Sequence, residues 1–449
     1  MFGYPHPGTQ ACPIPAQARA REACGMSPAT PPADVGRLLR TLALPTFGLA
    51  LAMSVLTTYA PVLLGEKTDS GAAIGLAIGA EGLFALFLPV FIGSLSDRTR
   101  SRLGRRLPYA VFATPLLVAP LVLLPFSGSF AGTVALVSLF FVGYFVYYPP
   151  YQAMFAELVP ASHTGRAVGI QGVARGLGLG AALVGGGFLL SAWAPLPFLL
   201  GAAALVLTTF ALVRGTPRVA APVAAPGAAR GPSVRALLRD RPDIRAFAAA
   251  NLLWEMSFMG LKTFIVLYVL KGLGESMTTA TAVIGVVAGS YVIAALVAGR
   301  LADRVGLMRL LKVSIWIYGA GLLFAATLHD LGPMLVALPV VALAGAVLMT
   351  LPYGILMRIS PAGSEGAVSG IFNLSRAIGV IAGPVAVGLA IDLGAPLFTA
   401  TAGYGAMWVA VGLPIVLSLA FLPAIAGERA AEPTSEPVIA SLDELALSA

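Results

Sequence analysis

GSLSDRTRSRLGRRLPY, residues 93–109, sets five arginines (Arg98, Arg100, Arg102, Arg105 and Arg106) and one acid, Asp97, between two long apolar runs. The flanking runs cover residues 73–95 and 108–126. A basic hinge between apolar stretches of about 20 residues is how a chain turns at a membrane surface. Working outward from it, apolar runs predict helices over 40–64, 73–95, 108–126, 131–158, 165–191 and 196–213. A second set is predicted over 244–270, 278–301, 308–328, 333–358, 366–391 and 396–422. Composition agrees. The chain is 58% hydrophobic and 11% charged, against about 45–50% and 25% in soluble domains. That excludes a water-soluble enzyme, and it excludes a disordered chain, which needs few apolar residues. Mean hydropathy is +0.89. The expected fold is an all-α membrane protein with twelve transmembrane helices in two pseudo-symmetric six-helix halves.

The organisation follows from the gaps. Residues 1–35 read as a flexible N-terminal tail, 36–213 as the first half and 244–425 as the second. Residues 214–243, rich in Pro, Ala and Arg, read as a linker, and 426–449 as an acidic flexible tail. The first residues lack the apolar core of a signal peptide, and Met26 is an alternative translation start to Met1. Cys12 and Cys24, the only cysteines, both lie in that tail and make neither a disulfide framework nor a metal site. The net charge is +8. The basic residues cluster after the second predicted helix, in the linker, and after the eighth (Arg300, Arg304, Arg309, Lys312), so they read as topology and not as a nucleic-acid footprint. Both termini and the linker are therefore expected in the cytoplasm. Of 28 basic residues only Lys67, Lys262, Lys271 and Lys312 are lysine, and the chain is Ala-rich. That bias points to a GC-rich bacterial genome and an inner membrane.

The halves are duplicated. VPASHTGRAVGIQGVARGLG (159–178) echoes SPAGSEGAVSGIFNLSRAIG (360–379). At one offset Pro160 matches Pro361, Gly169 matches Gly370, Ile170 matches Ile371, Arg175 matches Arg376 and Gly178 matches Gly379. Likewise Gly93 and Asp97 are echoed by Gly299 and Asp303 in GRLADRVG, residues 299–306. Parallel repeats of this kind build transporters with two pseudo-symmetric halves.

These residues resemble the major facilitator superfamily over roughly residues 36–425. The first loop resembles its signature through Gly93, Asp97, Arg98, Gly104, Arg105 and Arg106, and the second copy through Gly299, Asp303, Arg304 and Gly306. The run Arg102, Gly104, Arg105, Arg106, Pro108 and Tyr109 is similar to the sucrose–proton symporter-like branch of the glycoside–pentoside–hexuronide symporters. The resemblance implies a cytoplasmic gate made by Gly93, Asp97, Arg98, Arg102, Gly104, Arg105, Arg106, Gly299, Asp303 and Arg304. One position departs from plant-type sucrose symporters: Gln152 stands where they carry an arginine, five residues before the acid Glu157.

Ionisable residues at mid-span are costly, about 2.5–3.5 kcal/mol each on insertion scales, and mark functional sites. Glu81 and Glu255 are the expected proton-coupling residues, with Arg175, Lys262 and Arg376 as charge partners or solute clamp. Asn251, Glu255 and Lys262 recur at helical spacing on one face. Tyr144, Tyr148 and Tyr151 recur likewise, and an aromatic face with hydroxyls suits a polyol. With Gln152, Asn251 and Asn373 they complete the expected solute cavity. Static ion pairs and interhelical packing are the plainer alternatives for these groups. The chain has no catalytic site, no cofactor motif and no metal-ligand spacing, and it lacks a phosphate-binding loop for ATP. The expected function is proton-coupled symport of a sugar or glycoside, with protons, a small solute and the bilayer as partners. A drug or metabolite efflux antiporter is the first alternative; a non-transporting assembly or sensor protein of the same fold is the second.

Overall fold

The computed structural model describes residues 32–160, 163–216, 234–328, 330–361 and 364–427. In a bilayer every backbone N–H and C=O must be satisfied internally, so helices are the expected solution. The described chain supplies them: α1 (Pro32–Gly65), α2 (Gly71–Arg98), α3 (Leu107–Leu123) and α4 (Phe130–Leu158). Next come α5 (Thr164–Gly180, a π turn Ala181–Gly185, then Gly186–Ala192) and α6 (Leu196–Gly215). The second set is α7 (Pro242–Leu267, closing in a π turn Tyr268–Gly272), α8 (Met277–Val305) and α9 (Leu307–Ala325). It ends with α10 (Leu331–Thr350 and Pro352–Ile359), α11 (Glu365–Gly394) and α12 (Ala406–Leu417, running on to Gly427). Eleven of the described helices are long and apolar enough to span a membrane, and α8 is apolar over Met277–Ser290. Large apolar side chains such as Phe112, Leu207, Trp316 and Val336 point outward, as a lipid-facing surface requires.

Packing repeats between the halves. In the first, α1 packs on α5 and α6, α3 on α4 and α6, and α2 on α4. In the second, α7 packs on α11 and α12, α9 on α10 and α12, and α8 on α10. The contacts between halves obey the same exchange: α2 lies along α11, and α5 touches α8. The loops echo each other too. Gly104 before α3 and Gly306 before α9 both sit at φ 91°, a region open to glycine and strained for other residues.

Some boundaries differ from the sequence expectation. The twelfth helix starts at Ala406 and not near 396. Ala402 and Gly403 take positive φ, 49° and 85°, which interrupts a right-handed helix. The tenth helix is broken before Pro352, whose ring cannot continue the preceding hydrogen-bond ladder. Within the expected linker, Val234–Asp240 form a short helix, and α1 begins inside the expected N-terminal tail. Residues 217–233, 1–31 with Cys12, Cys24 and Met26, and 428–449 lie outside the described residues.

Candidate functional site

The site begins where the two halves meet. α2 starts at Gly71 and descends antiparallel along the end of α11. A Cβ added at Gly75 would overlap the Pro384 carbonyl oxygen, so only glycine permits this approach. The α5–α8 contact has the same character, since a Cβ at Gly187 would overlap Thr281. Two charged groups tie the halves together at this end. Asp392 of α11 accepts from the Gly71 N–H at 2.6 Å, the Ala72 N–H at 3.0 Å and the Ser70 hydroxyl at 2.9 Å. Ser70 itself caps Ala73 N–H at 3.2 Å. The free amides at the start of α2 are thus satisfied partly from the other half. Lys271 donates to the Gly65 carbonyl, the last residue of α1, at 2.6 Å, and lies 3.4 Å from Asp69. An anion at a helix start and a cation at a helix end both match the helix dipole. In α5 the Ala182 carbonyl, within the π turn, accepts from the Tyr59 hydroxyl of α1 at 3.1 Å.

The opposite, arginine-rich end is parted. No heavy atom outside the local helix backbone lies within 4 Å of where a Cβ would stand at Gly93 of α2 or at Gly165, Gly172 or Gly176 of α5. The vestibule between the halves therefore opens at this end and closes at the other.

Charged side chains gather at its inner limit. Arg376 is eleven residues into α11 from Glu365, about 16 Å along the helix at 1.5 Å per residue. Its Nε lies 3.5 Å from Glu255 Oε1 on α7, and its side chain is 52% exposed against 13% for Glu255. Glu81 on α2 is buried, its Oε2 has no hydrogen-bond partner, and it lies within electrostatic reach of Lys262, Arg376 and Glu255. Across the vestibule Tyr144 and Tyr148 of α4 stack with centroids 5.3 Å apart and planes 12° from parallel. Arg175 of α5 donates to the Tyr148 hydroxyl at 2.7 Å. Glu81, Glu255, Lys262, Arg376, Arg175, Tyr144 and Tyr148 thus come together from five helices.

Other expected cavity residues are placed elsewhere. Tyr151 is fully buried. Its hydroxyl bonds the Leu42 carbonyl and Thr46 of α1. Tyr147 beside it bonds Thr209 of α6 at 3.0 Å. The aromatic stripe of α4 divides: Tyr144 and Tyr148 face the vestibule side, Tyr147 and Tyr151 face the helices of their own half. Asn251 is buried and donates to Ser375 of α11 at 2.8 Å, a bond between α7 and α11. Gln152 accepts from Gln171 of α5 at 2.9 Å. Asn373 is exposed and donates to the Ser369 carbonyl of its own helix at 2.9 Å.

At the arginine-rich end Arg106 reaches Asp97 at 2.6 Å and Glu157 at 2.7 Å, and also bonds Ser96. Arg105 reaches Glu157 at 2.6 Å. All five residues belong to one half, so in this conformation the loop braces α2, α3 and α4 and does not bridge the opening. Arg98, Arg102 and Arg304 are exposed near it, and the side-chain surroundings of Gly299 and Asp303 lie outside the described residues. In the second half, Arg241 pairs with Asp243 at 2.7 Å and donates to the Ile359 carbonyl at 3.0 Å. Sequence reasoning missed Glu157 as a member of the arginine cluster, and it missed Asp392, Lys271 and Ser70. Their only signal was a polar residue at the end of an apolar run.

Comparison with known proteins adds three findings. The family model described as Major Facilitator Superfamily matches residues 42–384 and 272–446. No curated protein matches the chain. Among solved structures, a bacterial homolog of the human lysosomal transporter Spinster, inward-facing and occupied, superposes with TM-score 0.71 at 17% identity, covering 89% of this chain and 98% of that one. The nucleoside transporter NupG gives 0.71 at 16%, covering 86% and 98%. A D-xylose–proton symporter gives 0.66 at 16%, covering 88% and 98%. At these identities the likeness is one of fold.

Proposed function

Because this chain belongs to the major facilitator superfamily, we propose that it is a secondary active transporter that carries a small, sugar-like solute in symport with protons. One observation carries the reading. The clustered charges come from both halves: Glu81 from the first, Glu255, Lys262 and Arg376 from the second. Rocking one half against the other changes the distances between Glu81 and the cations while Glu255 keeps Arg376 beside it. An acid whose surroundings alternate between two conformations can take a proton on one side and release it on the other. The vestibule supplies the access. The arginine excess assigns its open end to the cytoplasm, so the conformation is inward-facing, in a multi-pass protein of a bacterial cell membrane.

Three observations support a sugar-like solute. The stacked Tyr144 and Tyr148 rings offer an apolar face with hydroxyls at its edge, which suits a polyol ring. The arginine run at 102–106 is similar to that of a sugar-symporter branch, and one structural neighbour is by its own description a D-xylose–proton symporter.

The test is solute-driven proton movement in proteoliposomes, with disaccharides, glycosides and monosaccharides as solutes. Inward proton flux driven by one sugar, and abolished by Glu81→Gln, is the expected result. Flux driven by cationic drugs and by no sugar would replace symport with efflux.

A further inference from the structure

We propose that the transported solute carries an acid group, and that Arg175 and Arg376 form the two sides of a clamp for it. This rests on the transport reading above and names the chemistry that its site selects. The two arginines occupy equivalent positions in the repeats, one on α5 of the first half and one on α11 of the second. Each stands well inside its helix, where an ionised side chain is costly, yet each is exposed to the open vestibule. Both lie within electrostatic reach of the Tyr144 ring, so they flank one place.

Neither guanidinium is used up by the protein. Arg175 has no carboxylate within 4 Å among the described residues, and its one side-chain bond is to the Tyr148 hydroxyl at 2.7 Å. Arg376 has Glu255 3.5 Å from its Nε, and no hydrogen bond of its terminal nitrogens is found among the described residues. The count of charges points the same way. Three cations (Arg175, Lys262, Arg376) face two acids (Glu81, Glu255), and a proton carried on one acid leaves the cations further in excess.

Alternating access requires the vestibule to close around its contents. Closing it on a neutral polyol would strip water from Arg175, which has no acid beside it, and from the terminal nitrogens of Arg376, whose Nε alone faces Glu255, and burying a cation without a full set of partners is costly. A carboxylate or phosphate oxygen pair between them replaces that water with charge-assisted bonds, to which the planar guanidinium fork is matched. The ring of such a solute then lies on the Tyr144–Tyr148 stack. An acidic solute therefore lowers the barrier to closure, whereas a neutral one leaves it high.

The experiment is protection of arginine from phenylglyoxal, read at each arginine by mass spectrometry of the full chain in nanodiscs at constant ionic strength. The probes are matched pairs differing in one acid group: glucuronate and glucose, benzoate and benzyl alcohol, glycerol phosphate and glycerol. The expected result is that an acid member slows modification of both Arg175 and Arg376, by about tenfold at an acid concentration ten times its Kd. Its neutral partner does not, and the exposed Arg98 and Arg304 react at an unchanged rate. Which pair protects separates a carboxylate from a phosphate. If no acid slows modification, or neutral members protect as well, the clamp is overturned. Proton flux in proteoliposomes is measured with the same pairs. Protection without flux would sink the proton-coupling reading and keep the clamp; flux with neutral members and no protection by acids would do the reverse.

Discussion

Removing Asp392 should open the sealed end. This carboxylate sits on α11 of one half, yet it accepts the Gly71 and Ala72 amides at the start of α2 in the other, together with the Ser70 hydroxyl. It is therefore a helix cap that exists only while that end is closed. An N-terminal cap contributes about 0.5–2 kcal/mol, and a carboxylate at a helix start adds about 0.3–1 kcal/mol through the dipole. Asp392 is exposed, so screening places the total for Asp392→Ala at about 1–2 kcal/mol. That lowers the ratio of sealed to unsealed molecules by about 5- to 30-fold. Asp392→Asn keeps an acceptor and loses the charge, so it should shift the ratio less. The assay is the distance distribution between spin labels at Gly128→Cys and Leu397→Cys, one on each half at this end, in a background without Cys12 and Cys24. A longer distance should gain population in the order wild type, Asp392→Asn, Asp392→Ala. Adding Lys271→Met, which removes the bond to the Gly65 carbonyl, should extend the shift. An unchanged distribution in the double variant would refute the trans-cap reasoning.

Three further outcomes follow. Glu81→Gln should abolish net proton-driven uptake while leaving exchange of solute across the membrane, because alternation survives and the proton site does not; loss of exchange as well would mean that Glu81 holds the helices together. Glu157→Gln should lower thermal stability in detergent by about 1 kcal/mol, the scale of a partly exposed ion pair, since it strips Arg105 and Arg106 of their shared partner; an unchanged melting temperature would show that cluster to be topology alone. Burial, with the nearby Asp69 and Asp392, pushes the Tyr404 hydroxyl up to about 12. Its folded value lies above the unfolded value of about 10, so its contribution is complete below pH 10 and lost as pH rises toward 12. Thermal stability in detergent should therefore be offset by a constant amount between wild type and Tyr404→Phe from pH 6 to 9, and the offset should change only above about pH 10.

The repeats made the two halves legible, because matched motifs such as Arg175 and Arg376 survive in the chain as written. The mid-span charges were legible too: Glu81, Glu255, Lys262 and Arg376 stand inside apolar runs where only a protein neighbour or a water-filled vestibule can tolerate them. The partners were not. Which acid meets which base depends on the rotation and depth of helices from different halves, and periodicity within one helix carries neither. Tyr151 and Asn251 show the same limit. Each lies on a polar stripe, and a stripe is equally well served by a cavity or by a hydroxyl on the next helix. Asp392 was invisible for a different reason: its partners are backbone amides, which every sequence has.

The register of α2 on α11 shows what happens at the other end when the vestibule closes. The two helices meet at Gly71 and Gly388, Gly75 and Pro384, Gly79 and Ile381, Gly82 and Ala377. Each step of three or four residues down α2 is matched by a step of three or four back along α11. Carried past the point where they now part, this register pairs Leu86 with Asn373, Val90 with Ser369 and Gly93 with Gly366. It then brings Asp97 just ahead of the first residue of α11, Glu365. Asp97 would stand at the start of α11 as Asp392 now stands at the start of α2, so one acid on each helix caps the other helix in one of the two conformations. Asp97 is held today by Arg106 at 2.6 Å and is 57% exposed, so closure asks only that it turn or share that partner. The contact needs small residues where the backbones approach, and Gly93 and Gly366 provide them. Gly93→Leu should therefore leave the sealed end as it is and lock the arginine-rich end open, giving a folded protein that binds solute and does not transport it. A Gly93→Cys/Gly366→Cys pair should cross-link under conditions that close this end; closure without a cross-link would mean that the register slips beyond Gly82.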